Sequence, residues 1–165
     1  MIIRFAKLSD ADMLRAMYEN LLAEKLPYIL QNPVPTFEMQ KKFLRTFDGI
    51  SSIMLVSEED GILTGMCTVR KQMHQQLSHN CELSMSVSKQ HRGKGVGSKL
   101  LLEAEKWAVA NNIRRMELSV IQDNPAFKLY KRFGFSLEAE KKDRLKIDGE
   151  KYLNIIEMVK LISHS

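Results

Sequence analysis

The stretch Arg92-Gly93-Lys94-Gly95-Val96-Gly97 follows a strand-like alternation over residues 82–87 and opens a helix-like run over residues 98–110. Three glycines within five positions let main chain come close to an anion, because no Cβ intervenes and positive φ is accessible. The helix start that follows turns free N–H groups and the positive end of its dipole toward the same spot. Strand, glycine-rich turn and helix start together predict a cradle for a diphosphate, and hence a nucleotide-type cofactor.

The glycine spacing separates this loop from two familiar ones. A P-loop carries Lys followed by Ser or Thr, whereas Lys94 is followed by Gly95. The dinucleotide fingerprint G-x-G-x-x-G requires glycine where Ser98 stands. Glu117 falls near the offset of a ribose-binding acid, but a dinucleotide unit starting beyond mid-chain would lack most of its sheet.

The pattern Arg/Gln-x-x-Gly-x-Gly/Ala, met by Arg92, Gly95 and Gly97, resembles the acetyl-CoA loop of the GNAT superfamily of N-acetyltransferases. Val87 ends the preceding strand as in that family. Downstream, Ala126, Tyr130 and Gly134-Phe135 match its second motif, a helix of the type Asn-x-x-Ala/Lys-x-x-x-Tyr ending in Gly-Phe, with Asn124 standing one position nearer the alanine than that spacing. Residues 79–135 carry the resemblance, and the flanks agree in element order. It implies one GNAT-like α/β domain over residues 1–165, with acetyl-CoA as cofactor. It also implies transfer of the acetyl group to a primary amine of a small molecule, peptide or protein, by direct attack in a ternary complex. An acyl-CoA-binding regulator that has lost transfer chemistry is the alternative, and the retained Tyr130 argues against it.

Composition agrees with a single globular domain. A chain of 165 residues buries roughly 70% of its unfolded surface, and 44% hydrophobic with 27% charged residues is unlike a disordered chain. No apolar run approaches the roughly 18 residues of a membrane span, and Arg4 and Lys7 interrupt any signal-peptide pattern at the start, so a cytoplasmic protein is expected. Cys67 and Cys81 are the only cysteines and fit reduced core thiols. His74, His79, His91 and His164 lack partners at metal-ligand offsets, and no metal is expected. The net charge of +5 is the only feature that points to nucleic acid, and no nucleic-acid motif accompanies it.

Periodicity predicts the order βααβββαβαββ, a mixed and mostly antiparallel sheet with helices on both faces. Residues 2–6 alternate as a strand. Ser9-Asp10 offer cap chemistry for a helix carrying Met13, Leu14, Met17, Leu21 and Leu22, which ends before Pro27. Thr36 caps a second helix with Phe37, Met39, Phe43, Leu44 and Phe47, closed by Gly49. Strands follow at 52–57 and 62–71, joined by Glu59-Asp60-Gly61, then at 77–87. After the helix that Asn111-Asn112 end, residues 116–121 form a fifth strand. Asn124 caps the next helix with Pro125 at its first position. Residues 136–147 and 151–161 form a hairpin around Asp148-Gly149, a low-lying candidate for a homodimer interface by family resemblance. The segment between the first two strands shapes the acceptor side in this fold.

The resemblance places the cofactor in a splay between the strands ending near Val87 and Ile121. Main chain of Met85 and Val87 would pair with the pantetheine as an added strand. N–H groups of Arg92, Gly93, Lys94, Gly95, Val96, Gly97 and Ser98 would hold the diphosphate, with Lys94 adding charge. Asn124 would meet a pantetheine amide or cap its helix. Lys128, Lys131 and Arg132 are candidates for the 3′-phosphate. For catalysis, the resemblance aims the Tyr130 hydroxyl at the departing sulfur. An acceptor with the pKa of a lysine amine, about 10.4, needs roughly 4–5 kcal/mol to be neutral at pH 7. Glu82 is the candidate base, on the strand that feeds the loop and between small serines that leave room for water. His79 and an ordered-water relay are alternatives, and a solvent-facing strand glutamate is the plain reading of the same residue.

Overall fold

The chain enters through β1 (Ile2–Phe5) and two helices, α1 (Ala11–Ala23) and α2 (Phe37–Leu44), before a three-strand meander, β2 (Ser52–Glu59), β3 (Ile62–Lys71) and β4 (Asn80–Val87). Then come α3 (Val96–Ala110), β5 (Arg115–Ile121), α4 (Ala126–Arg132) and the hairpin β6 (Ser136–Lys146) and β7 (Tyr152–Leu161). This computed structural model describes every residue except 31, 148, 164 and 165, so the tip residue Asp148 and His164 lie outside the described residues. The element order is the one the periodicity predicts.

One seven-stranded sheet runs β1-β2-β3-β4-β5-β7-β6. Every pairing is antiparallel except β4 with β5. Alternation along β2 sends Ile53 and Leu55 into a core with α3, and Met54 and Val56 into a second core with α1 and α2. All four are buried, which is why β2 reads as a continuous apolar run. The larger core joins Val69, Leu83, Leu100, Ala104, Trp107 and Leu118. The β2–β3 turn uses Asp60 and Gly61, both at positive φ of 51° and 77°. No described helix is long and apolar enough to cross a membrane.

Three local expectations give way to specific bonds. Asp10 does not cap α1 with its side chain. Its carboxylate instead accepts from Arg4 at 2.8 and 2.9 Å and from the Lys7 N–H at 2.7 Å, closing a 3-10 turn over Leu8–Asp10. The strand expected from residue 77 starts at Asn80, because Gln75–Leu77 form another 3-10 turn whose Gln76 N–H is taken by His74 Nδ1 at 3.3 Å. The helix expected to begin at Pro125 begins at Ala126, with Asn124 still supplying the capping bond, its Oδ1 accepting from the Ala126 N–H at 2.9 Å. The expected Thr36 cap is present, with Met39 N–H at 3.2 Å.

The feature that creates a site is the brevity of the β4–β5 ladder. Only Asn80, Cys81 and Glu82 pair with Arg115, Met116 and Glu117. Past that point the strands part, while β4 stays paired to β3 as far as Val87 and β5 to β7 as far as Ile121. Main-chain groups on the facing sides of the two strands are left without a strand partner.

Candidate active site

A cavity of ≈ 690 Å³ occupies the splay. One wall is β4 from Leu83 to Val87, another is β5 and α4 through Ser119, Val120, Ile121, Asn124, Leu129 and Tyr130, and its floor is the loop into α3. A further wall comes from the segment between the first two strands, where the acceptor side is expected, through residues not singled out for it beforehand: Tyr18 and Leu21 of α1, followed by Tyr28, Ile29, Leu30 and Asn32 of the connection to α2. Ser84, Ser86 and Ile155 also line the cavity without having been anticipated.

The loop at the floor has the properties of an anion cradle. Gly93 and Gly95 sit at φ of 74° and 83°, conformations that side chains rarely adopt. Among the described residues nothing accepts a hydrogen bond from the main-chain N–H groups of residues 93–98, the first acceptor in the run serving Lys99 N–H at Gly95 O (3.1 Å). Such orphan donors at the start of a 15-residue helix are met by a ligand or by water. Gly97 serves another purpose. A Cβ there would stand 2.9 Å from Leu129 Cδ2 and 3.3 Å from Met85 Cε, so its absence lets α3 start flush against β4 and α4.

Of the residues singled out from the sequence, Met85, Val87, Arg92, Gly93, Gly95, Val96, Gly97, Ser98, Asn124 and Tyr130 line this cavity. Lys94 does not. Lys131 does not either: its ammonium lies 5.7 Å from the Phe127 ring centroid, and its neighbour Arg132 lines the cavity in its place. A single helical step of about 100° separates the two, a resolution that composition cannot supply. The Arg92 guanidinium is turned away to Glu24 and to Val87 O, and its main-chain N–H donates to Lys89 O at 3.4 Å, so the expected diphosphate donor at Arg92 is already spent and the free N–H groups begin at Gly93.

Tyr130 is only 6% exposed, yet it reaches the cavity, and among the described residues no protein group hydrogen-bonds its hydroxyl. Burial, with a smaller contribution from Cys67, pushes the phenol well above its ordinary pKa, so it stays a proton donor. Glu82 is exposed on the opposite sheet face, outside the cavity wall, at the last paired position before the strands part. Ser84, two residues on and on the same face, does line the cavity. Glu82 makes no ion pair among the described residues, whereas the facing Glu117 is taken by Arg115, which also holds Glu138. His79 lies away from the splay, in a separate surface recess with Arg114 and Arg115.

The same face carries a polar cluster absent from the sequence expectations. Ser119 Oγ donates to Glu157 at 2.8 Å, and Lys141 Nζ donates to its other oxygen at 2.8 Å. Burial resists ionisation of Glu157, but these two hydrogen bonds outweigh it and hold the carboxyl below the usual range.

A strand pair that opens over free main-chain amides, with a buried phenol beside the gap, is a site suited to an extended ligand that ends in an anion. The chain belongs to the acetyltransferase (GNAT) family, whose model matches residues 14–135. It is 30% identical over 154 residues to the L-amino acid N-acetyltransferase AaaT of Escherichia coli (strain K12), covering 90% of this chain and 91% of that protein. Its fold superposes on a GNAT-family acetyltransferase from Streptococcus pneumoniae with a TM-score of 0.88 at 28% identity, over 98% and 99% of the two chains. The putative acetyltransferase yncA of Salmonella typhimurium, solved with acetyl-CoA, superposes equally well (0.88) at 23% identity over 100% of this chain and 95% of that one. The protein is an acetyl-CoA-dependent N-acetyltransferase, with acetyl-CoA as the acetyl donor.

Proposed function

We propose that the acceptor is the amino group of an L-amino acid, acetylated by direct attack while both substrates are bound. The observation that carries this reading is the single cavity bounded by the orphan amides of residues 93–98 at one end and by Tyr18, Tyr28 and Asn32 at the other. A continuous space of that kind lets amine and thioester meet without a covalent enzyme intermediate. The amino-acid assignment draws on the similarity to AaaT across nearly the whole chain.

Bound acetyl-CoA supplies the activated acetyl group. The residues of this chain do the rest. N–H groups at the start of α3 hold the diphosphate, and the unpaired edge of β4 from Leu83 to Val87 aligns the pantetheine as an added strand. Arg132 stands on the wall for the 3′-phosphate. The Tyr130 hydroxyl donates a hydrogen bond to the sulfur as the C–S bond breaks. With its pKa raised, complete transfer of its proton to a thiolate near 8.5 is more uphill than for an ordinary phenol, so hydrogen bonding is the main contribution. The ammonium proton leaves toward Glu82 through water along Ser84, since the carboxylate itself stands outside the cavity.

Release of free thiol from acetyl-CoA, measured across L-amino acids, their D-enantiomers, polyamines and short peptides, tests this assignment. The expected result is turnover confined to L-amino acids with intersecting initial-rate lines. Turnover only with polyamines or peptides overturns the acceptor, and parallel lines overturn direct attack.

A further inference from the structure

The Arg92 side chain directs three of its five N–H donors away from the loop that it begins. Nη1 and Nη2 each donate to the Glu24 carboxylate at 2.7 Å, and Nε donates to Val87 O at 3.0 Å. The pair joins positions 68 apart in sequence, and the Glu24 side chain is 10% exposed against 35% for Arg92. A fork-to-fork contact of this kind fixes orientation as well as distance, because two parallel bonds resist rotation.

What the two residues carry makes the contact informative. Glu24 follows the last residue of α1, and Lys25 then takes a left-handed φ of 49°, which swings the chain into a turn closed by Ile29 N–H to Leu26 O at 3.1 Å. That turn presents Tyr28, Ile29 and Leu30 to the cavity. Arg92, for its part, stands between the end of β4 and the orphan amides of the floor. One bidentate contact therefore ties the acceptor-side wall to the cofactor-side floor. It also turns the guanidinium at the head of the loop toward Glu24.

We propose that Glu24 is a positioning residue that acts through Arg92 to couple the two halves of the site, so that seating CoA on the loop orders the wall formed by Tyr28, Ile29 and Leu30. This rests on the reading of residues 93–98 as the CoA diphosphate cradle. When the floor closes on its ligand, Arg92 is held, and through the carboxylate so is the end of α1. The wall that receives the amine is then organised before the amine arrives.

Amide hydrogen exchange of the full chain, with saturating CoA as the probe, tests the coupling. In the parent protein CoA slows exchange in residues 93–98 and also at Ile29, there by about tenfold. Glu24→Gln keeps the slowing in the loop but reduces that at Ile29 to less than about twofold. Arg92→Met, also measured at saturation, gives the same loss at Ile29. Equal slowing at Ile29 in the parent and in Glu24→Gln overturns the coupling, as does slowing confined to the loop in the parent. Absence of any slowing in residues 93–98 of the parent overturns the cradle assignment itself, and the coupling with it, so the two failures are read at different amides.

Discussion

Phe135 meets the ring of Tyr130 edge-on, centroids 5.9 Å apart and planes at 64°, and its N–H donates to the Tyr130 carbonyl at 3.0 Å. Gly134, at a φ of 86°, makes this possible by ending α4 in the left-handed conformation and folding the chain back on itself. The Gly-Phe pair that looked like a signature in the sequence is thus a brace. It ends the helix and pins the phenol ring while leaving the hydroxyl on the cavity wall.

Tyr130→Phe removes only that hydroxyl. Hydrogen bonds to a developing charge contribute about 1.5–3 kcal/mol, so turnover should fall roughly 10- to 150-fold. Acetyl-CoA affinity should change by less than about twofold, since the ring and its packing remain. Steady-state kinetics with the best amine, alongside calorimetric binding of CoA, check both halves. Undiminished turnover with chemistry rate-limiting removes Tyr130 from the reaction.

Gly95→Val puts a β-branched side chain at a φ of 83° in the middle of the cradle. In the parent, acetyl-CoA at about 100 times its Kd should stabilise the fold by roughly 2.7 kcal/mol, a melting shift of roughly 5–10 °C. The variant should show almost none of that shift. A full shift would mean that the diphosphate is bound elsewhere.

Glu82→Gln tests the proton exit. Below the pKa of the acceptor, where the amine arrives as ammonium, kcat/KM should fall by about tenfold or more. The deficit should close as pH rises and the amine enters already neutral. A deficit that is the same at every pH would make Glu82 a structural residue of the strand.

Asp10 carries a pH dependence of stability. The Arg4 guanidinium is the largest influence on its carboxyl, with burial opposing and the Lys7 N–H assisting, and the net effect holds it below its usual range. A carboxyl lowered in the folded state contributes stability that is present above its unfolded pKa, near 4, and lost as pH falls through the folded value. Asp10→Asn should therefore cost about 1.5–3 kcal/mol near neutrality, and its urea midpoint should decline less steeply than the parent's below pH 4.

Much of this molecule could be read without coordinates, and the boundary between what could and could not is physical. Gly93, Gly95, Gly134 and the pair Asp60-Gly61 are visible in sequence because local backbone geometry demands them. The apolar run of β2 is visible because cores on both of its faces demand it, and the alternation of β4 because only one of its faces is buried along Cys81 to Ser84. Asp10 looked like a cap because the local pattern is right, but a guanidinium from β1 took the carboxylate first. The wall of Tyr18, Tyr28, Leu30 and Asn32 was legible only as the segment between the first two strands, because which of its side chains reach the cavity is set by tertiary packing and not by a local pattern. Lys131 and Arg132 differ only in which side of a seven-residue helix they occupy.

The short β4–β5 ladder has an implication for the protein when no coenzyme is present. Separated strands leave two half-edges in the interior of a sheet, each a template for any extended chain that can enter. The gap is walled by helices and loops, which leaves a stray polypeptide little room. Coenzyme recognition by such an edge is blind to side-chain identity. The exposed Ser84 is therefore free to drift for the sake of the acceptor, whereas Leu83 is held by the core.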